Sequence, residues 1–241
     1  MKNKYLSSNK SKLLKPFIAF YFFVGFVEII AELFNDYFFI SVTKPLLMPI
    51  LICIYWLSSK SRSNIFILGL LAVWVANIFF ISNSVNSFII GTIFFLLYRV
   101  LIIYLVLKTV KFPGYIPMII GSLPFLFIYL FVANISHEEL GYRFYLFIIQ
   151  GIFMIVFGSL CLGNYILKSN TSNTYLLVST MLFTVTQFIL VLKIFYVNYN
   201  IFQPLAMLLY VFGQYLLYLF VILEEKKRKR YHIINKANAA T

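Results

Sequence analysis

The sequence predicts an all-α fold: a polytopic membrane bundle of eight transmembrane helices with both termini cytoplasmic. Three observations predict it. Of the 241 residues, 62% are hydrophobic and 11% charged, against about 45–50% and about 25% in a soluble domain. The apolar residues gather into eight segments separated by short polar breaks. The basic residues follow the alternation of those breaks, sixteen of the twenty Lys and Arg falling on one side of such a bundle and one on the other. No soluble core could hide so many Phe, Ile, Leu and Tyr side chains from water. The same composition excludes a disordered chain and a disulfide-stapled mini-protein.

The elements follow in order. Residues 1–15 form a basic N-terminus carrying Lys2, Lys4, Lys10, Lys12 and Lys15. The apolar run 16–34 after these lysines has the look of a signal peptide. It continues through Glu28 to Phe34 with no small-x-small cleavage site, and so reads as a retained first helix. Seven further segments span 38–58, 63–82, 86–107, 115–134, 144–166, 174–196 and 201–223, each close to the about 20 residues that one crossing needs. Loop-forming residues separate them, from Asn35-Asp36 and Ser58 to Ser63 through to Asn198–Asn200. Residues 224–241 form a basic tail, and 16–223 is a single membrane domain.

With both ends cytoplasmic, the inner stretches hold the five N-terminal lysines, Lys60, Arg62, Lys108, Lys111, Lys168 and six tail residues from Lys226 to Lys236, whereas the outer loops hold only Arg143. Cations favour the cytoplasmic side and its anionic lipids. The net charge of +13 therefore reads as membrane-flanking. The bases form no single stripe with interleaved exposed aromatics, so nucleic acid is not an expected partner. Cys53 and Cys161 lie in separate apolar segments and read as two buried thiols rather than a bridge.

Function must come from polar groups inside the apolar segments, which are costly there unless they face the bundle or a wet cavity. At 1.5 Å per residue, Glu28, Lys44, Asn77, Gln187 and Tyr210 all fall roughly 18–21 Å from the inner end, with Arg99 and Gln214 at roughly 14 Å. Helical spacing puts Gly25, Glu28 and Glu32 on one face of helix 1, Thr180, Thr184 and Gln187 on one face of helix 7, and Gln203, Met207, Tyr210 and Gln214 on one face of helix 8. Clustered depth predicts that Lys44, Arg99, Tyr210, Asn77 and Gln187 line one cavity. The Thr180–Gln187 stripe also has an ordinary reading as interhelical hydrogen bonds, worth about 0.6 kcal/mol each. Glu28 with Lys44 reads either as a functional pair or as a structural ion pair. Glu32 and Lys193 fall close to the outer surface, where side chains snorkel. GxSxG, HExxH and Walker sequences are missing. His137 and His232 sit in a loop and in the tail, and His137-Glu138-Glu139 reads as solvated, so neither a metal nor another cofactor is expected.

Several motifs carry a resemblance. Thr43-Lys44-Pro45-Leu46 opening helix 2, Phe88-x-x-Gly91-x-x-x-Phe95 in helix 4, Met181-Leu182-Phe183 leading to Thr186-Gln187, and Tyr210-x-x-Gly213-Gln214 resemble, in order and over most of the chain, segments of the YhhN family. These are the bacterial relatives of the mammalian lysoplasmalogenases. The resemblance implies an eight-helix hydrolase of a bacterial cytoplasmic membrane that cleaves the vinyl ether of a lyso-ether phospholipid, releasing a fatty aldehyde and a glycerophospho head group. It also implies a pair of intramembrane aspartates and a helix 4 histidine. Here those positions carry Asn77, Gln187 and Arg99, whereas Lys44, Tyr210 and Gln214 are retained. Two expectations follow. In one, Glu28 and Glu32 take over the acid–base work while Lys44 and Arg99 grip the phosphate. In the other, the protein is a non-catalytic lipid-binding or lipid-sensing homologue. A small-solute transporter is disfavoured, because no Pro- or Gly-broken helix pair occupies corresponding halves.

Overall fold

The computed structural model describes residues 2–82, 84–140, 144–195 and 199–238, with the side chains of 2–12, 135–140, 194–195, 230 and 232–238 left aside. Its eight helices are α1 (Lys2–Phe34), α2 (Tyr37–Ser58), α3 (Asn64–Phe79), α4 (Val85–Thr109), α5 (Tyr115–Leu140), α6 (Phe144–Leu167), α7 (Thr171–Phe195) and α8 (Phe202–Asn238). Helix makes up 89% of the chain, with no strand among the described residues.

Local chemistry sets the boundaries. Asn35 takes a left-handed φ of 54°, a conformation its short polar side chain tolerates, and closes α1. Asp36 then caps α2, its Oδ1 accepting from the Phe38 and Phe39 amides at 3.1 and 3.3 Å. Ser63 and Ser84 cap α3 and α4 in the same way. Pro45 and Pro49 lie inside α2. Pro49 has no N–H to offer the Pro45 carbonyl one turn back, and the Trp74 indole N–H donates to that oxygen instead, at 2.8 Å.

Seven helices contain stretches long and apolar enough to cross a bilayer. The eighth expected crossing is shorter than the 63–82 read from sequence: α3 has 16 residues and is about 24 Å long. Its flanks extend it alongside α2. At one end the Ser63 amide donates to the Tyr55 hydroxyl at 2.6 Å, and at the other Tyr37 donates to the Ile81 carbonyl at 2.6 Å. The chain from Ser63 to Ile81 thus returns along nearly the whole of α2. Elsewhere helices overrun the expected breaks. The backbone of α5 runs through 135–140, and α8 continues to Asn238 because Glu, Lys and Arg are good helix formers and no Gly or Pro interrupts them. Arg143 and the side chains of His137-Glu138-Glu139, Lys2–Lys12 and the distal tail lie outside the described residues.

The interior draws on α2, α3, α4 and α8, where Leu47, Leu51, Ile54, Phe66, Leu70, Ile102 and Leu217 are buried, and on α1, α6 and α7 through Tyr21, Leu160 and Leu176. Large apolar side chains such as Phe38, Ile116 and Phe127 are exposed instead, as lipid-facing surfaces require. α5 is held against α6 by ring-over-glycine contacts, Tyr129 covering Gly151 and Phe125 covering Gly158. At one end of the bundle α8 ties the others together. Tyr55 donates to the Glu225 carboxylate, Ser59 does so at 2.5 Å, and Ser172 at the start of α7 donates to Glu224 at 2.6 Å.

Candidate functional site: three buried polar groups

Every predicted site residue with a described side chain except Gln187 is buried, and Gln187 is hydrogen-bonded inside the bundle. They do not share one chamber. They form three contact groups, because depth along a helix says nothing about which way a side chain points around it.

The first group joins α1, α2, α7 and α8. Lys44 Nζ lies 2.5 Å from Glu32 Oε1 and 3.6 Å from Glu28 Oε1, and Thr43 donates to Glu28 Oε2. Gln203 Nε2 reaches Glu32 Oε1 at 3.5 Å, and Lys193 Nζ donates to Gln203 Oε1 at 3.0 Å. Glu28 is fully buried and Lys44 is 5% exposed. Glu32, placed by sequence near the outer surface, is 6% exposed and is the nearer carboxylate to Lys44. It does not snorkel, because Lys44 and Gln203 reach it inside the bundle. Among the described residues, Glu28 Oε1 has no hydrogen-bond partner.

The second group joins α2, α3, α4 and α8. Asn77 Nδ2 donates to Tyr210 Oη at 2.9 Å, and Tyr210 also reaches Asn77 Oδ1 and Met48 Sδ, at 3.3 and 3.8 Å. One turn along α8, Gln214 Oε1 accepts from Tyr98 at 3.0 Å. Gln214 Nε2 is buried with no partner among the described residues.

The third group surrounds Arg99. Its Nη1 donates to the Gln150 carbonyl and its Nη2 to Gln187 Oε1, both at 3.0 Å. Gln150 Nε2 donates to the Thr92 carbonyl at 2.9 Å, which leaves Gln150 Oε1 unpartnered among the described residues. Arg99 is 5% exposed. Among the described residues it makes no ion pair with any carboxylate. It lines a cavity of about 10 Å³ with Tyr98, Met154, Thr180, Phe183 and Thr184, room for about one water molecule. Lys44, Asn77, Gln187 and Tyr210 are not among the lining residues.

The Thr180–Gln187 stripe divides by role. Thr180 and Thr184 bond back to carbonyls of their own helix at 2.8 and 2.9 Å, Thr180 also touches Cys161 Sγ at 3.1 Å, and only Gln187 bridges to Arg99. The neighbouring Ser179 adds an interhelical bond of its own, donating to the Gly213 carbonyl at 2.8 Å. Cys161 is buried, but Cys53 is exposed on the lipid-facing side of α2, correcting the expectation of two buried thiols. Gln150 was missed in the sequence. Its signal was present, an amide inside the apolar run 144–166, but no stripe or motif drew attention to it.

The fold and these buried groups define a polytopic helical membrane protein with a polar layer between its helices. The chain belongs to the YhhN family, whose model matches residues 39–221. The match starts inside α2, so Lys44, Asn77, Arg99, Gln187, Tyr210 and Gln214 lie within it and Glu28 and Glu32 lie outside it. No curated protein and no solved structure matches the chain.

Proposed function

We propose that this YhhN protein holds a lyso-ether phospholipid within its bundle, with the Arg99 guanidinium taking the head-group phosphate, and does not hydrolyse it. The observation that carries the reading is the charge of Arg99, buried, hydrogen-bonded to neutral oxygens, with the Phe95 ring 5.3 Å from it and no carboxylate partner among the described residues. An unpaired charge in that setting is expensive, and a phosphate supplies the missing anion through charge-assisted hydrogen bonds. Lys44 is a poorer grip, since Glu28 and Glu32 already face it.

Vinyl ether hydrolysis needs an acid to protonate the alkene carbon and a base to activate water. The amides of Asn77 and Gln187 titrate in neither role, and both are engaged by neighbours, Asn77 with Tyr210 and Gln187 with Arg99. The Arg99 cavity holds about one water, so in this reading a lipid enters by parting α4 from α6 and α7. In this reading α3 completes eight crossings and both termini face the cytoplasm of a bacterial cell. The basic residues Lys60, Arg62, Lys108, Lys111 and Lys168 at the α8-tied end support that orientation.

One observation favours a second reading, a hydrolase in which Glu28 is the acid: its Oε1 is buried without a hydrogen-bond partner among the described residues. The experiment is incubation of nanodisc-embedded protein with lysoplasmalogen, reading bound lipid by native mass spectrometry and released aldehyde together. The first reading expects bound lysoplasmalogen, about tenfold weaker retention in Arg99→Gln as befits a lost charged hydrogen bond, and no aldehyde. Equal retention by Arg99→Gln contradicts it. Aldehyde release abolished by Glu28→Gln establishes the second.

A further inference from the structure

Away from the buried polar layer, the α8-tied end of the bundle carries an open groove of about 770 Å³. Its walls are the end of α4 with the following loop 110–113, the α6–α7 turn, and the α8 extension beyond Leu223. Four cations line it, Lys111, Lys168, Lys227 and Arg228, against one carboxylate, Glu224. That carboxylate is already taken, accepting from Ser172 at 2.6 Å and pairing with Lys227. Arg228 reaches the Thr109 hydroxyl at 3.5 Å, and its charge also acts on Glu225. Lys111, Lys168 and Arg228 make no ion pair among the described residues.

The apolar surroundings decide what kind of anion fits. Phe112, Leu167 and Tyr231 sit in the groove wall and are exposed, and Tyr115 and Ile116, the first residues of α5, are exposed beside it. A soluble anion would leave those side chains in water. A lipid would cover them with its acyl chains while its phosphate meets the cations, and basic pockets between helices at a membrane surface suit such head groups.

We propose that this groove binds the head group of an anionic glycerophospholipid, with Lys111, Lys168 and Arg228 meeting the phosphate and the acyl chains lying along the start of α5 and the end of α6. The site is separate from Arg99 and stands whether or not the interior holds a lyso-lipid.

The test uses the full chain in nanodiscs containing phosphatidylglycerol and phosphatidylcholine in equal amounts, with retained lipid read by native mass spectrometry after release from the disc. The wild-type chain keeps phosphatidylglycerol preferentially. Lys111→Gln/Lys168→Gln/Arg228→Gln loses that preference by about fivefold per cation removed, and Lys111→Arg/Lys168→Arg keeps it. The control Lys60→Gln/Lys226→Gln/Lys229→Gln removes the same charge outside the groove and leaves the preference unchanged. An equal loss in the control overturns the proposal in favour of diffuse surface attraction, and so does full preference in the groove triple. Glycerol 3-phosphate displacing phosphatidylglycerol at equal concentration also overturns it, since the occupant would then be a soluble phosphate.

Discussion

Lys44 and Arg99 are both cations buried to about the same extent inside the bundle, and their surroundings are opposite. Lys44 sits between two carboxylates, and Gln203 extends the group to Lys193. Arg99 is held by a backbone carbonyl and an amide oxygen, with no carboxylate partner among the described residues. The first arrangement is electrically complete and the second is not. Depth alone would make the two a joint grip on one phosphate. Counter-ions separate them: Lys44 finds its own between α1 and α2, whereas Arg99 is the proposed anion seat on α4.

The largest expected effect breaks the Lys44 ion pairs. Lys44→Met strands Glu28 and Glu32 as buried, uncompensated carboxylates and costs about 3–5 kcal/mol, read as lost thermal stability in detergent. Glu28→Gln/Glu32→Gln/Lys44→Met recovers most of that loss, because no charge is then left alone. If the triple variant is as unstable as the single one, ion pairing is not what holds α1 to α2. Next in size is Asn77→Leu, which leaves the Tyr210 hydroxyl buried without its amide partner and costs about 1–3 kcal/mol in the same melting measurement. Arg99→Met is expected to cost less than Lys44→Met, since it removes a charge that had no counter-ion, although it frees Gln187 Oε1 and the Gln150 carbonyl. A larger loss than for Lys44→Met would reverse the comparison. Smallest is Tyr98→Phe, which removes one interhelical bond to Gln214 and costs about 0.6 kcal/mol.

These effects also mark where the sequence was legible. Seven helices of membrane-spanning length and the break at Asn35-Asp36 followed from hydropathy and loop-forming residues. The end of α3 did not, because Phe80 and Ile81 are as apolar as the helix they leave. Helix continued through 135–140 and 224–238 because polar composition marks solvent and not the end of a helix. Of the residues that depth singled out, Glu28, Lys44, Asn77, Arg99 and Tyr210 are buried and Gln187 is partly buried. Their partners depend on the rotation of each helix about its axis, which a 1.5 Å rise does not encode. Hence Glu32 proved closest to Lys44, and Gln150 supplied an Arg99 ligand that no motif announced. The motif matches placed Gln187 and Arg99 in separate segments. Only the fold shows that they touch.

The anion seat is tested most directly by giving Arg99 a counter-ion from within. Gln187→Glu places a carboxylate where the Gln187 amide now bonds the guanidinium, and the measurement is the melting temperature of this variant and of the wild-type chain as lysoplasmalogen is titrated. The account predicts that Gln187→Glu melts higher than wild type without lipid and gains little from it, while the wild-type chain rises with lipid concentration. Equal lipid-dependent rises in both proteins would contradict it, because the ligand would then be held by something other than the bare charge of Arg99.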